Sequence, residues 1–242
     1  MRPIILKGHS RSLTMIKYNR DGDLLFSCAK DHTPNLWYSD TGERVGTYVG
    51  HAGAVWACDV SYHSEKLLTA AADASVKLWD VQTGDELFSF PHTGPARSVN
   101  FSTGDKQFVS VADKFSDRPA AVFVYELADD ITNQSAKPVL TITNHGHDGR
   151  ITGAYWMPLN KAILTTEWRR RHEAVAFPAF EARFFHMIFQ RSLTCFFKGH
   201  FGPINTIGFI SENGKSYASG AEDGYVRLHH FDNDYLKLDA NK

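Results

Sequence analysis

Short runs of alternating apolar and polar residues fill most of the chain. Val55-Trp56-Ala57-Cys58-Asp59-Val60, Lys66-Leu67-Leu68-Thr69-Ala70 and Ser75-Val76-Lys77-Leu78-Trp79 follow in close succession. A period of two sends successive side chains to opposite faces of an extended backbone, so each run reads as a half-buried strand. Arg20-Asp21-Gly22, Asp40-Thr41-Gly42, Gln82-Thr83-Gly84 and Glu212-Asn213-Gly214 supply turn formers between runs. No helical period of useful length interrupts them, and the pattern predicts an all-β chain.

The runs are grouped in a repeat. Gly8-His9 returns as Gly50-His51, Asp31 as Asp73 and Trp37 as Trp79, each 42 residues on. Three landmarks sharing that period point to a β-propeller of WD-repeat type, whose blades take roughly 40–45 residues. Looser units open at His92, Gly146-His147 and Gly199-His200. Five units are expected, at about 8–49, 50–91, 92–143, 144–198 and 199–235, forming one propeller over 1–235 with a polar tail at 236–242. The last unit shows three strands, and an orphan strand, residues 2–6, precedes the first unit. Pairing the two would complete a blade and remove two exposed edges.

The landmarks are expected to form a buried hydrogen-bond network. In the first unit it comprises His9, Ser27, Asp31 and Trp37, and in the second His51, Thr69, Asp73 and Trp79. Asp accepts from His, His meets the hydroxyl, and the hydroxyl accepts from the indole N–H. Each bond is worth about 1 kcal/mol, and losing one partner strands the others. The last unit offers His200, Ser219 and Asp223, with His229 in the Trp place. The third lacks a clear network and is expected to be held by packing. A His/Ser/Asp catalytic triad is the rival reading, but active sites do not recur at a fixed period.

Composition narrows the function. Hydrophobic residues make up 43% and aromatics 13% of 242 residues, which suits a packed globular chain. With 26 basic and 27 acidic residues the net charge is -1, so the chain has no general attraction for nucleic acid or anionic lipid, although a local basic patch stays open. Cys28, Cys58 and Cys195 are odd in number and lack metal-ligand spacing, and reduced thiols are expected. The opening residues carry too short an apolar run for a signal peptide, and no stretch nears the roughly 18 apolar residues of a spanning helix. A cytoplasmic protein is the expectation. The repeat histidines fall on different blades, and His229 and His230 would point to opposite faces of a strand, so no metal is expected. No phosphate-cradling glycine loop, Cys-x-x-Cys pair or nucleophile elbow is present. Catalysis and cofactors are therefore not expected. The basic run Trp168-Arg169-Arg170-Arg171-His172 reads as an exposed loop, with contact to RNA phosphates as its functional rival.

A partner surface is better sought where each inner strand begins and where each network Asp is approached. By register with the second unit those positions are Thr14, Lys30, Trp56, Arg97, Arg150, Thr152, Asn205 and Glu222. Trp56 is the sharpest, because a large aromatic with arginine companions suits a binding hot spot. Ordinary surface positions are the alternative.

Several longer segments carry a more specific resemblance. They are residues 1–9, Gly149-Arg150-Ile151-Thr152-Gly153-Ala154, Phe180-Glu181-Ala182-Arg183-Phe184-Phe185-His186, Gly199-His200-Phe201-Gly202-Pro203-Ile204-Asn205 and residues 214–227. Together they resemble the family of subunit i of eukaryotic translation initiation factor 3. That resemblance implies a seven-bladed, non-catalytic propeller that scaffolds a ribosome-bound complex. In that complex it would support assembly of the 43S preinitiation complex and recruitment of mRNA. The implied partners are the b and g subunits and, indirectly, the small ribosomal subunit, without sequence-specific nucleic acid binding or membrane attachment. The chain departs from the family between Thr166 and Val175, where Arg169 and Val175 occupy the expected Asp and Trp places. The front of one blade is joined there to the back of a later one, with about two blade-lengths, roughly 80–90 residues, missing. Glu173-Ala174-Val175 sits at about the place expected for the later blade's third strand. An open or strained five-bladed ring follows. A splice or gene-model product, a five-bladed paralogue and a non-functional truncated form each account for the shortening. The alternative outside this family is a generic WD adaptor such as a ubiquitin-ligase substrate receptor.

Overall fold

The structure, a computed structural model, describes residues 5–143, 150–157, 160 and 162–168, together with the backbone of later strands between 180 and 230. The chain divides into two compact units, Met1–His145 and Gly146–Lys242.

The first unit holds three antiparallel four-stranded sheets. Its first sheet runs β1 (Leu13–Tyr18), β2 (Leu24–Ala29), β3 (Asn35–Tyr38) and β4 (Arg44–Thr47), paired in chain order. The second runs β5 (Val55–Val60), β6 (Lys66–Ala71), β7 (Ser75–Asp80) and β8 (Glu86–Pro91). The third runs β9 (Ala96–Phe101), β10 (Gln107–Ala112), β11 (Ala121–Glu126) and β12 (Leu140–Ile142), with a 3₁₀ turn at Ile131–Asn133 before its last strand. Glycines with positive φ, such as Gly42 (73°) and Gly84 (79°), sit in the turns read from the sequence.

The core lies between the sheets. Phe26, Cys28, Leu36 and Tyr48 of the first sheet region pack on Val55, Cys58, Leu67 and Trp79 of the second. Leu68, Leu78 and Phe90 of the second pack in turn on Val99, Phe108, Phe123 and Tyr125 of the third. Polar staples cross the same seams. Asp59, buried on β5, accepts from Asn100 Nδ2 at 2.7 Å and from the Phe101 amide at 2.8 Å, and Lys17 Nζ stands 2.9 Å from its other oxygen. A buried carboxylate with three donors offsets its desolvation, which would otherwise be costly.

The second unit contains a four-stranded sheet of β13 (Arg150–Trp156), β14 (Ala162–Trp168), β15 (Phe180–His186) and β16 (Arg191–His200). Beyond it come the three strands β17 (Ile204–Ile210), β18 (Ser216–Ala221) and β19 (Val226–His230). The sheet therefore spans the irregular join. Its third strand is β15, Phe180–His186, and Glu173-Ala174-Val175, expected at about that place, lies outside the described residues, as do all of residues 169–179. In that pairing Thr166 opposite Ala182 and Ala162 opposite His186 continue an unbroken antiparallel register. Of the expected closing strand 2–6, residues 2–4 lie outside the described residues, and Ile5 and Leu6 are exposed and outside any strand. No helix among the described residues is long and apolar enough to cross a membrane.

Candidate partner-binding face

The geometry starts from the network that holds each sheet's turns in place. In the first sheet, His9 Nδ1 lies 2.9 Å from Asp31 Oδ2, and its Nε2 lies 2.7 Å from Ser27 Oγ. Trp37 Nε1–H donates to the same hydroxyl at 2.8 Å. The second sheet repeats this with His51–Asp73 at 2.8 Å, His51–Thr69 at 2.7 Å and Trp79–Thr69 at 2.8 Å. A carboxylate only accepts, so Nδ1 carries the ring proton, and the hydroxyl donates to Nε2 while accepting from the indole. The glycine before each histidine has a packing reason. A β-carbon at Gly8 would sit 2.5 Å from Trp37 Cη2, and one at Gly50 would sit 3.0 Å from Trp79 Cη2.

Burial alone would raise the Asp73 carboxyl. The bonds from His51, from Ser75 and from the Ala52 amide overcome that and hold it well below the usual carboxylate range. Asp31 is lowered in the same way, with burial outweighed by the Ser10 amide and His9. Ser75, whose hydroxyl donates to Asp73 at 2.7 Å, and Asn35, whose amide approaches His9 Nε2 at 3.2 Å, belong to the same clusters. Neither was singled out in the sequence, although each lies close to the network Asp in the chain.

The third sheet corrects the expectation that packing alone holds it. His92 Nε2 lies 2.6 Å from Ser110 Oγ, at the same 18-residue separation as His9–Ser27 and His51–Thr69. That offset was the available signal. Its Nδ1–H donates to the Phe90 carbonyl at 2.9 Å in place of a carboxylate. Burial pushes the His92 imidazole down to about 4, against a smaller opposing effect of that carbonyl. Tyr125 stands in the Trp place and stacks on Phe108 at 4.9 Å, with Phe90 5.1 Å from Tyr125.

The network turns frame the beginnings of the inner strands, and each beginning is bulged. The register slips between Leu13 and Met15, Val55 and Ala57, Ile151 and Gly153, and Ile204 and Thr206. In β9 it slips beside Ala112, with Ser98 opposite Val111 and Ala96 opposite Ala112. The residues left over are Thr14, Trp56, Thr152, Asn205 and Arg97, all candidate partner positions. At Thr14, Trp56, Arg97 and Thr152 the bulge re-aims the extra side chain away from the pleat and sets it apart from its neighbours, and Asn205 holds the same place in the backbone pairing of its strand.

In the first unit four candidates converge. Thr14 Oγ1 donates to the Val55 carbonyl at 2.5 Å, across the seam. The Arg97 guanidinium lies 4.1 Å from the centre of the Trp56 ring, and Lys30 Nζ lies 5.9 Å from it. Arg97 also donates to Asp113 at 2.5 Å, a partner the sequence did not suggest. Trp56 Nε1 is buried without a hydrogen-bond partner among the described residues. In the second unit, Arg150 is exposed at the start of β13, and Thr152 Oγ1 lies 2.7 Å from Thr166 Oγ1. Asn205 lies on the backbone of β17, and His200 and Ser219 lie on β16 and β18. Asp223 and Glu222 lie outside the described residues, as do Arg169 to His172.

The model of the WD domain, G-beta repeat, matches residues 3–38, 42–80 and 191–230. The third sheet falls outside these matches, where Pro91 precedes the histidine and Tyr125 replaces Trp. Among curated proteins the chain is 34% identical over 326 residues to eukaryotic translation initiation factor 3 subunit I of Drosophila pseudoobscura pseudoobscura, covering 98% of this chain and 99% of that protein. The counterpart in Bombyx mori is 33% identical, with 98% and 97% covered, and that in Culex quinquefasciatus is 32% identical, with 98% and 99% covered. The first alignment runs over 326 positions and the chain has 242 residues, so at least 84 positions of that alignment face a gap in this chain.

Proposed function

The chain belongs to the family of subunit I of eukaryotic translation initiation factor 3, and from that premise we propose that it is a non-catalytic scaffold of the factor 3 complex. The observation that carries this reading is the likeness over nearly the full length of both chains. In this role it supports assembly of the 43S preinitiation complex and recruitment of mRNA to the small ribosomal subunit in the cytoplasm. Its direct partners are the b and g subunits, and its contact with the ribosome runs through them. The positions that meet partners are the bulge residues Thr14, Trp56, Arg97, Thr152 and Asn205, with Lys30, Arg150 and Glu222 beside them. The His, Ser or Thr, Asp and Trp sets of the first two sheets carry stability, and His200, Ser219 and Asp223 have the same role in the last unit. Residues 1–235 act as one propeller with a polar tail at 236–242. The shortening relative to the family falls at the join after Thr166.

Affinity purification of the full chain from eukaryotic cells, followed by mass spectrometry, tests the reading. Recovery of the b and g subunits is expected. Recovery of ubiquitin-ligase components without any initiation factor 3 subunit would replace the scaffold role with that of a substrate adaptor.

A further inference from the structure

We infer that the strand-entry end of the first unit is a docking surface for an acidic protein segment, centred on Lys30, Trp56 and Arg97. This deepens the scaffold reading above and rests on it. The charge of the unit is segregated between its two ends. At the entry end, the loops leading into each first strand and those joining second to third strands carry Lys7, Arg11, Lys30, Lys114 and Arg118, all exposed. The same loops carry four carboxylates, of which Asp31 is committed to His9, Asp73 to His51 and Asp113 to Arg97. At the opposite end, the loops 19–23, 39–43, 61–65, 81–85, 102–106 and 127–139 hold nine Asp or Glu against Arg20, Lys106 and Lys137. The chain's net charge of -1 conceals this polarity. Clustered like charge steers a partner of opposite sign and fixes which end it meets.

The centre of the surface has the chemistry of an anchor. Trp56 is lifted by its bulge and half-buried, with Arg97 at 4.1 Å and Lys30 at 5.9 Å from its ring. Arg97 is tied to Asp113, so the loop that follows, with Phe115 60% exposed, begins at the edge of the same cluster. Aromatic surface ringed by cations suits a segment that alternates carboxylates with apolar side chains. Nucleic acid shares the anionic charge and its bases can stack on aromatic rings, but the scaffold reading on which this rests calls for protein partners, so the protein segment is the occupant.

The test uses the purified full chain and a labelled synthetic peptide of four Glu-Asp-Phe triplets. A Lys-Arg-Phe peptide of equal length and an oligouridine serve as comparisons. Anisotropy should show the acidic peptide binding and the basic one not. Lys30→Glu should weaken binding about tenfold, and so should Arg118→Glu, with the effect shrinking as salt rises. Lys106→Glu, at the opposite end, should leave it unchanged. Both lysines are on exposed or half-exposed surface, and an unchanged melting curve identifies a folded variant. Equal binding by wild type and Lys30→Glu would overturn the inference, as would equal losses at Lys30 and Lys106. Oligouridine that displaces the peptide would also overturn it. The two readings fail separately: a purification without the b and g subunits removes the scaffold role, whereas peptide binding indifferent to Lys30 removes only this surface.

Discussion

The second and third sheets share one geometry and hold it by different chemistry. In the second, Asp73, His51, Thr69 and Trp79 form a closed polar chain, and only acceptors and donors of the right type fit it. In the third, the histidine and hydroxyl remain, but a backbone carbonyl replaces the carboxylate and the stacked pair of Phe108 and Tyr125, with Phe90 edge-on to Phe108, replaces the indole. A fixed backbone position for the histidine can thus be stabilised by a charge or by aromatic area. What differs is how each arrangement fails.

The largest expected effect separates the two by volume. Phe108→Ala removes a fully buried ring from the aromatic stack and should cost about 3–5 kcal/mol, read as a fall in denaturant midpoint. Because this residue packs between the second and third sheets, a loss below about 1 kcal/mol would show that the stack is not what holds the third sheet.

Next in size is the polar chain. Asp73→Ala leaves the His51 ring N–H and the Ala52 amide without their acceptor and should cost roughly 2–4 kcal/mol. The residue at the equivalent offset in the third sheet is the exposed Lys114, and Lys114→Ala should change stability by less than about 0.5 kcal/mol. Thermal melting of the two variants side by side checks the contrast. Equal shifts would erase it.

The smallest effect is a dependence on pH. The folded state depresses His92 to about 4, below its unfolded value, so its neutral form is favoured by folding. That contribution is present above about pH 6.5 and is lost as pH falls from there toward 4. Lowering pH from 6.5 to 5 should therefore cost on the order of 1–2 kcal/mol through this group. Asp73 works in a lower window, since its depressed carboxyl contributes above the unfolded value near 3.9 and loses that only in stronger acid. Between pH 6.5 and 5 the depressed His92 imidazole contributes to the slope, and denaturant titrations of His92→Gln should show it reduced. An unchanged slope would assign it elsewhere.

Much of this was legible in the chain alone. The alternation of Val55 to Val60, the turns at Gly42 and Gly84, and the 42-residue spacing of histidine, aspartate and tryptophan all depend on local rules. Strand period, turn conformation and hydrogen-bonding type are properties of single residues and their near neighbours. Even the His92–Ser110 pair was written at the 18-residue offset, hidden because its aspartate and tryptophan were absent. The entry positions could be counted from the repeat, but the bulges that turn Thr14, Trp56 and Arg97 out of the pleat appear only in the strand pairing.

Tertiary structure alone decided which of these residues meet. Asp59 reaching Asn100, Arg97 reaching Trp56 and Thr14 reaching Val55 all depend on how one sheet stacks on the next, while Arg97 reaching Asp113 depends on the pairing of β9 with β10. The third strand after the join, at Phe180–His186, was settled the same way, by register against β14. Nothing local in the sequence sets these distances, because each arises from packing two side-chain layers whose connecting loops differ in length. The repeat tells how each sheet is made, and the fit between sheets places Lys30 beside the Trp56 ring.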